Sequence, residues 1–220
     1  MNEKGEINTG QSEQITRDDI EHEINIQASL TPEENAIRTL KLKRESYKDP
    51  LTGMKNRKAL SEEMETIVQI LSRKNGELTV LFIDIDNLKR INDTKGHKEG
   101  NSAIKNIGEE LKNNIRKSDI AGKGTRGDEF IVILNGTDES GTFSFYERLT
   151  KSIETNEQLA LSDVSISMGA SSYQYKDNHP VKSFDELLSE ADKAMYEAKK
   201  RKGEREGKVG LIFYNEIKKR

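Results

Sequence analysis

Apolar positions recur along this chain with two periods, and the switches between them mark out its elements. Thr31-Pro32-Glu33-Glu34 sets a helix start, with Thr31 as N-cap, Pro32 at the first helical position and Glu34 three residues after the cap. Ile37, Leu40 and Tyr47 lie on one stripe of that helix, Arg44 interrupts it, and Asp49-Pro50 stops it. The stripe is short for a coiled coil and serves equally well to pack the helix on its own domain. Leu60, Met64, Ile67, Val68 and Leu71 give a second helix over residues 56–71. Residues 78–83 form a buried strand, and Ala103, Ile104, Ile107, Leu111 and Ile115 mark an amphipathic helix. Residues 120–134 read as a hairpin whose second arm, Phe130-Ile-Val-Ile-Leu134, is strongly β-forming. Phe145, Leu149 and Ile153 suggest a further helix. Val164, Ile166 and Met168 alternate with Ser165, Ser167 and Gly169 in a half-buried strand. Phe184, Leu187, Leu188, Ala191, Met195 and Ala198 form a last helix, and residues 209–214 close as a strand. The order βαββαβ plus a final strand predicts an α+β fold of ferredoxin-like or palm type: a central, largely antiparallel sheet with helices on one face.

Residues 1–30 lack a sustained apolar period and read as a disordered tail, with a transient helix near residues 18–26. The 220 residues leave room for one ordinary domain plus appendages. Cysteine is absent, which removes disulfides, thiolate metal sites and a cysteine nucleophile, and fits a reducing compartment. The longest largely apolar stretch, residues 78–83, is far shorter than the ~20 residues of a membrane span. The start, MNEKGEINTG, has neither the basic nor the apolar region of a secretory signal, so a cytoplasmic location is expected. Basic and acidic residues nearly balance, 36 against 39, which gives no track for nucleic acid. Aromatic residues, at 5%, are too sparse for a base-stacking platform.

Two acidic clusters carry the candidate chemistry. Asp84 and Asp86 sit two apart at the end of a buried strand, so both carboxylates can point to one face. Such a place suits a hard cation, and Mg²⁺ takes one or two carboxylates plus phosphate oxygens. Lys89 is then a compact cation that can meet a phosphate. A bare Asp-x-Asp also opens ordinary solvated turns. The second cluster, Gly127-Asp128-Glu129-Phe130, lies at the hairpin tip and on its own is turn chemistry. In a βαββαβ fold the first strand neighbours the hairpin strand. Asp84 and Asp128 can therefore converge on one metal, a geometry that suits phosphoryl transfer.

Together these segments resemble the GGDEF family. Asp49-Pro-Leu-Thr-Gly53-Met-Lys-Asn56-Arg57 is similar to the family's DPLTGLxNR opening. Asp84-Ile-Asp86-Asn-Leu-Lys89-Arg-Ile-Asn92-Asp93-Thr-Lys-Gly96-His97 is similar to its DxDxFKxxND…GH stretch. Gly127-Asp-Glu-Phe130 matches the signature, Ser165-Ile-Ser-Met-Gly169 the SxG strand, and Ala191-Asp192-Lys-Ala-Met195-Tyr196-Glu-Ala-Lys199 the ADxAMYxAK helix. The resemblance implies a nucleotidyl cyclase-like fold and a diguanylate cyclase, which joins two GTP into cyclic di-GMP with Mg²⁺ (or Mn²⁺). It implies Asp84, the backbone carbonyl of Ile85 and Asp128 as metal ligands. Lys89 and Lys199 would hold or stabilise the triphosphate, Asn92 would contact guanine, and Asp128 or Glu129 would help deprotonate the attacking 3′-hydroxyl. One GTP binds per family domain, so the product requires a homodimer. The implied organisation is a tail (1–30), a signalling or dimerisation helix (31–48) and the GGDEF domain (49–215).

Three departures bear on function. Arg126 replaces the signature's leading Gly, and residues 119–126 run one residue longer than the family's spacing. Losing Gly is costly if the position needs positive φ, though Gly124 can supply flexibility. Arg126 would either place a cation near phosphate or block the pocket. Asn101 stands where the family has an Asp that accepts from guanine. An amide accepts less, which weakens GTP selection by roughly 1–3 kcal/mol. The family's closing Arg is absent from Lys199-Lys-Arg-Lys-Gly203-Glu204, leaving Lys200, Arg201, Lys202 or Arg205 to substitute, unless the run is simply a solvated helix end. Arg116-Lys-Ser-Asp119 matches the RxxD product-inhibition site, where cyclic di-GMP would bind as feedback ligand, or else is a surface pair. His97 belongs to a structural turn, and His22 and His179 sit in polar stretches without partners. The alternatives to an active cyclase are a degenerate domain that binds GTP or cyclic di-GMP as a signalling module, and a cyclase of altered purine selectivity.

Overall fold

The strand over residues 78–83 is apolar at consecutive positions rather than at alternate ones, a pattern that belongs to a sheet covered on both faces. The computed structural model, which describes residues 16–72, 76–175, 182–204 and 210–218, has that arrangement. Five strands, β1 (Glu77–Asp86), β2 (Ile120–Lys123), β3 (Glu129–Asn135), β4 (Ser165–Gln174) and β5 (Leu211–Phe213), lie in the order β2-β3-β1-β4-β5. All neighbours are antiparallel except β4 and β5. The hairpin and the central first strand are as the sequence predicts. The closing strand is shorter: Tyr214 already starts a helix, and Val209 lies outside the described residues.

Leu78, Val80 and Phe82 point to one face with Ile131 and Ile133, against α3 (Arg57–Ser72) and α8 (Phe184–Glu204). Leu81, Ile83 and Ile85 point to the other with Phe130, Val132 and Leu134. That face is covered by α5 (His97–Asn114), α6 (Glu139–Thr155) and α7 (Glu157–Leu161), with α4 (Leu88–Lys95) beside α5. The expectation of helices on one face is therefore corrected. Each face of the sheet has its own core, because β1 has no polar side to leave in water.

The chain divides into two units, Met1–Ser46 and Tyr47–Arg220. In the first, α1 (Arg17–Ser29) replaces most of the expected tail, while residues 1–15 lie outside the described residues. Its start is fixed by a reciprocal cap: Thr16 N donates to Asp19 Oδ2 at 2.9 Å and Asp19 N to Thr16 Oγ1 at 3.2 Å. The local cap makes a helix where the apolar period gave little signal. The helix start at Thr31 is as expected, with Thr31 N donating to Glu34 Oε2 at 2.8 Å and Glu34 N to Thr31 Oγ1 at 3.2 Å. It opens α2 (Pro32–Ser46), in which no residue is buried.

Candidate active site

Strand alternation puts Asp84 and Asp86 on the same face as Phe82, under the C-terminal half of α8. Lys199 donates from Nζ to Asp84 Oδ1 at 2.5 Å, and Lys202 to Asp86 Oδ2 at 2.6 Å. The two lysines are three apart on one helix, so they reach two carboxylates two apart on one strand. Asp86 is further held by β4: Ser165 donates to Oδ2 at 2.8 Å and Ser167 to Oδ1 at 2.7 Å. Lys202 also reaches Ser165 Oγ at 3.0 Å and the Ile166 carbonyl at 3.2 Å. Sequence reasoning missed this bracket. The signal was the alternation of Ser165 and Ser167 opposite an acid, which becomes visible only with the strand register.

Asp84 is the electrostatic focus. Burial is the main force raising its pKa, to about 6; Lys199 opposes this, and the charges of Asp128 and Asp86 add to it. Asp86, Asn87, Ser165, Lys199 and Lys202 line a cavity of about 340 Å³ beside it.

Across the sheet, Glu129 pairs directly with Asp84, and Ile85 N donates to the Asp128 carbonyl at 3.3 Å. The register thus brings the signature turn to the end of β1, as the sequence predicts, and it adds Glu129 to the Asp84 face. Glu129 is buried, and its carboxylate accepts the Arg126 backbone N–H at 2.9 Å. The Arg126 guanidinium lies 3.6 Å from the same carboxylate and is itself 81% exposed.

Arg126 does not have positive φ, so the missing glycine carries no backbone penalty. Gly124 matters for space rather than flexibility: a Cβ there would lie 2.6 Å from Glu129 Cβ. The longer loop is tied down by Arg57, which donates to Thr125 Oγ1 at 3.1 Å and to Asp185 at 2.8 Å. Arg126 lines a second cavity of about 340 Å³ with Arg57, Phe82, Glu129 and Asp192, and does not fill it.

Lys89 and Asn101 are exposed, on α4 and α5. Asn92 on α4 has a buried Oδ1 with no hydrogen-bond partner. It is pressed against Gly100, where a Cβ would come within 1.9 Å of that oxygen. An unpaired buried acceptor costs about 1–3 kcal/mol, so the Asn92 amide is held here without the donor that would satisfy it.

Arg116 and Asp119 are not brought to this cluster; they precede β2, at the opposite end of the hairpin from the signature turn. Asp119 accepts from Arg116 N at 3.0 Å and Asn135 N at 3.2 Å, so it also holds the hairpin base. In the basic run, Arg201 pairs with Glu197 at 2.9 Å and Lys200 is exposed. Arg205 and His179 lie outside the described residues.

A family profile described as "Diguanylate cyclase, GGDEF domain" matches residues 46–205. Diguanylate cyclase DgcS of Shewanella oneidensis is 31% identical over 170 residues, covering 77% of this chain and 55% of that protein. Diguanylate cyclase A of Treponema denticola is 38% identical over 145 residues, covering 64% of this chain and 37% of its own. The chain spans about half the length of the curated relatives it matches. Among solved structures, the coiled coil and GGDEF domain of DgcB from Caulobacter crescentus, in complex with c-di-GMP, superposes with a TM-score of 0.69. At 20% identity it covers 88% of this chain and 98% of that one, which shows a shared fold. With the profile spanning most of the chain and the signature turn seated beside Asp84, this protein belongs to the GGDEF family.

Proposed function

We propose that the chain is a diguanylate cyclase, condensing two GTP into cyclic di-GMP at the interface of two facing copies. The observation that carries this reading is the buried Asp84 carboxylate, held by Lys199, its pKa pushed upward by burial, with Asp128 adding to it. A desolvated carboxylate among phosphate-seeking lysines suits a divalent ion shared with a triphosphate. Two carboxylates and one carbonyl meet what Mg²⁺ asks of a protein when phosphates complete its shell. Among the described residues, no three or more His, Cys, Asp or Glu side chains are grouped to hold a metal ion, so the ion here would depend on phosphate oxygens to complete its shell. Asp84, the Ile85 carbonyl and Asp128 would hold Mg²⁺ (or Mn²⁺), which supplies charge neutralisation at the phosphates when bound. Lys199, which holds Asp84 here, and Lys89, exposed on α4, would bind the triphosphate oxygens.

Asn92 would contact guanine, with Asn101 on the next helix. Asp128 is the better base for the 3′-hydroxyl, since Glu129 already caps Arg126. The hydroxyl oxygen bonds to the α-phosphorus of the other GTP, the bond to the β-phosphate oxygen breaks, and pyrophosphate leaves. The helix over residues 31–48 would set the geometry of the two copies. Arg116 with Asp119 would take the product as feedback ligand. No described helix is long and apolar enough to cross a membrane; the reading places the reaction in the cytoplasm.

Incubation with Mg²⁺ and GTP, or GTP plus ATP, with products identified by mass, tests this. Cyclic di-GMP that disappears in Asp128→Ala is the expected result. The contact between Arg126 and Glu129 favours a second reading, a degenerate domain that binds nucleotide as a signalling module. That reading predicts tight GTP binding with no product. A mixed or adenine product would instead point to Asn101 and altered purine choice.

A further inference from the structure

We propose that Lys123 is a positioning residue for this reaction: its ammonium clamps the Gly127 carbonyl and thereby fixes the direction in which Asp128 presents its carboxylate. The proposal rests on the cyclase reading for its kinetic consequence, though not for the clamp itself.

Lys123 ends β2 and is only 3% exposed, an unusual place for a lysine. Its backbone N–H donates to the Lys55 carbonyl at 2.7 Å, which anchors it to the loop before α3. Its Nζ donates to the Gly127 carbonyl at 2.6 Å and stands 3.9 Å from the centre of the Phe130 ring, its cross-strand partner.

The effect on Asp128 follows from peptide planarity. A residue's backbone has two soft dihedrals, and these relate the two rigid peptide planes on either side of it. The plane before Asp128 carries the Gly127 carbonyl, held by Lys123; the plane after it carries the Asp128 carbonyl, held by Ile85 N at 3.3 Å. With both planes tethered, the Asp128 Cα–Cβ direction is set. Without Lys123 the first plane hangs from glycine, the residue that turns most freely. Burial pushes the Lys123 pKa down to about 8, with Asp49, Asp128, Glu129 and Asp84 resisting. Keeping a cation there works against its desolvation, since burial penalises the charged form.

Lys123→Met and Lys123→Arg test the clamp. In Lys123→Met, kcat should fall about 10- to 100-fold, the scale of a misplaced catalytic group, with KM for GTP within about twofold. Lys123→Arg, which can donate to the same carbonyl, should restore kcat to within about threefold of the parent. Backbone amide resonances of Gly127 and Asp128 should move in Lys123→Met and stay near their parent positions in Lys123→Arg. A Lys123→Met protein with unchanged kcat overturns the proposal; so do unmoved Gly127 and Asp128 amides. If the parent protein makes no product, the cyclase reading fails, and the amide shifts alone decide whether the clamp exists.

Discussion

Asp84 gives a pH dependence whose sign can be stated. Its folded pKa, about 6, lies above the usual carboxylate value. Between about pH 4 and 6 the unfolded chain has already released this proton while the folded one keeps it, so stability falls as pH rises through that window. Asp84→Asn should therefore match the parent near pH 3.5 and exceed it by on the order of 2 kcal/mol at pH 7 in chemical denaturation. A constant difference across pH would refute the assignment. Asn101→Asp should sharpen base choice, raising the preference for GTP over ATP by about 5- to 150-fold in competitive binding. Asp84, Asp128 and Asn92 were legible in the sequence as types at motif spacing. Lys123 and Lys202 were not, because what distinguishes them from surface lysines is burial and partners on other strands. The cost feared for Arg126 was a question of φ, which residue identity cannot answer.

At the level of elements, the bracket formed by Ser165, Ser167 and Lys202 around Asp86 joins β1, β4 and α8. Ser167 is fully buried. Ser167→Ala removes the hydrogen bond that Ser167 gives Asp86 Oδ1 and should cost about 1–3 kcal/mol in urea unfolding. A loss below about 0.5 kcal/mol would mean that Ser165 and Lys202 satisfy the carboxylate without it. The strands and α3, α5, α6 and α8 were readable from their apolar periods and α2 from its capping box, whereas the short α4 and α7 were not. The start of α1 was less readable, since its box uses Asp19 where the usual pattern has Glu or Gln. The side of the sheet each helix takes was hidden for a different reason. A strand that is apolar throughout says that both faces are covered without saying by what.

For the whole molecule, the separation of Met1–Ser46 from Tyr47–Arg220 predicts that a chain starting at Tyr47 folds by itself. Its melting temperature should stay within about 3 °C of the parent, a shift below 1 kcal/mol for a domain of this size. If the helices of the first unit set the dimer, the shortened protein should show cyclase activity per molecule that rises with its concentration, while the parent's stays flat. Equal concentration dependence in the two would remove that role from residues 31–48. The pairing of the first strand with the hairpin strand followed from the βαββαβ sequence, while the places of β4 and β5 came only with the structure.

The central position of β1 has a consequence for biosynthesis. Its two neighbours are β3 and β4, and β4 pairs from Glu77↔Gln174 to Asp86↔Ser165, so the last partner emerges from the ribosome some eighty residues later. At about 5–20 residues per second, the stickiest segment of the nascent polypeptide waits roughly 4–16 s with one edge unzipped. Chaperone capture and inclusion-body formation should both be most sensitive to changes in residues 78–83, even those that leave the mature protein as stable as before.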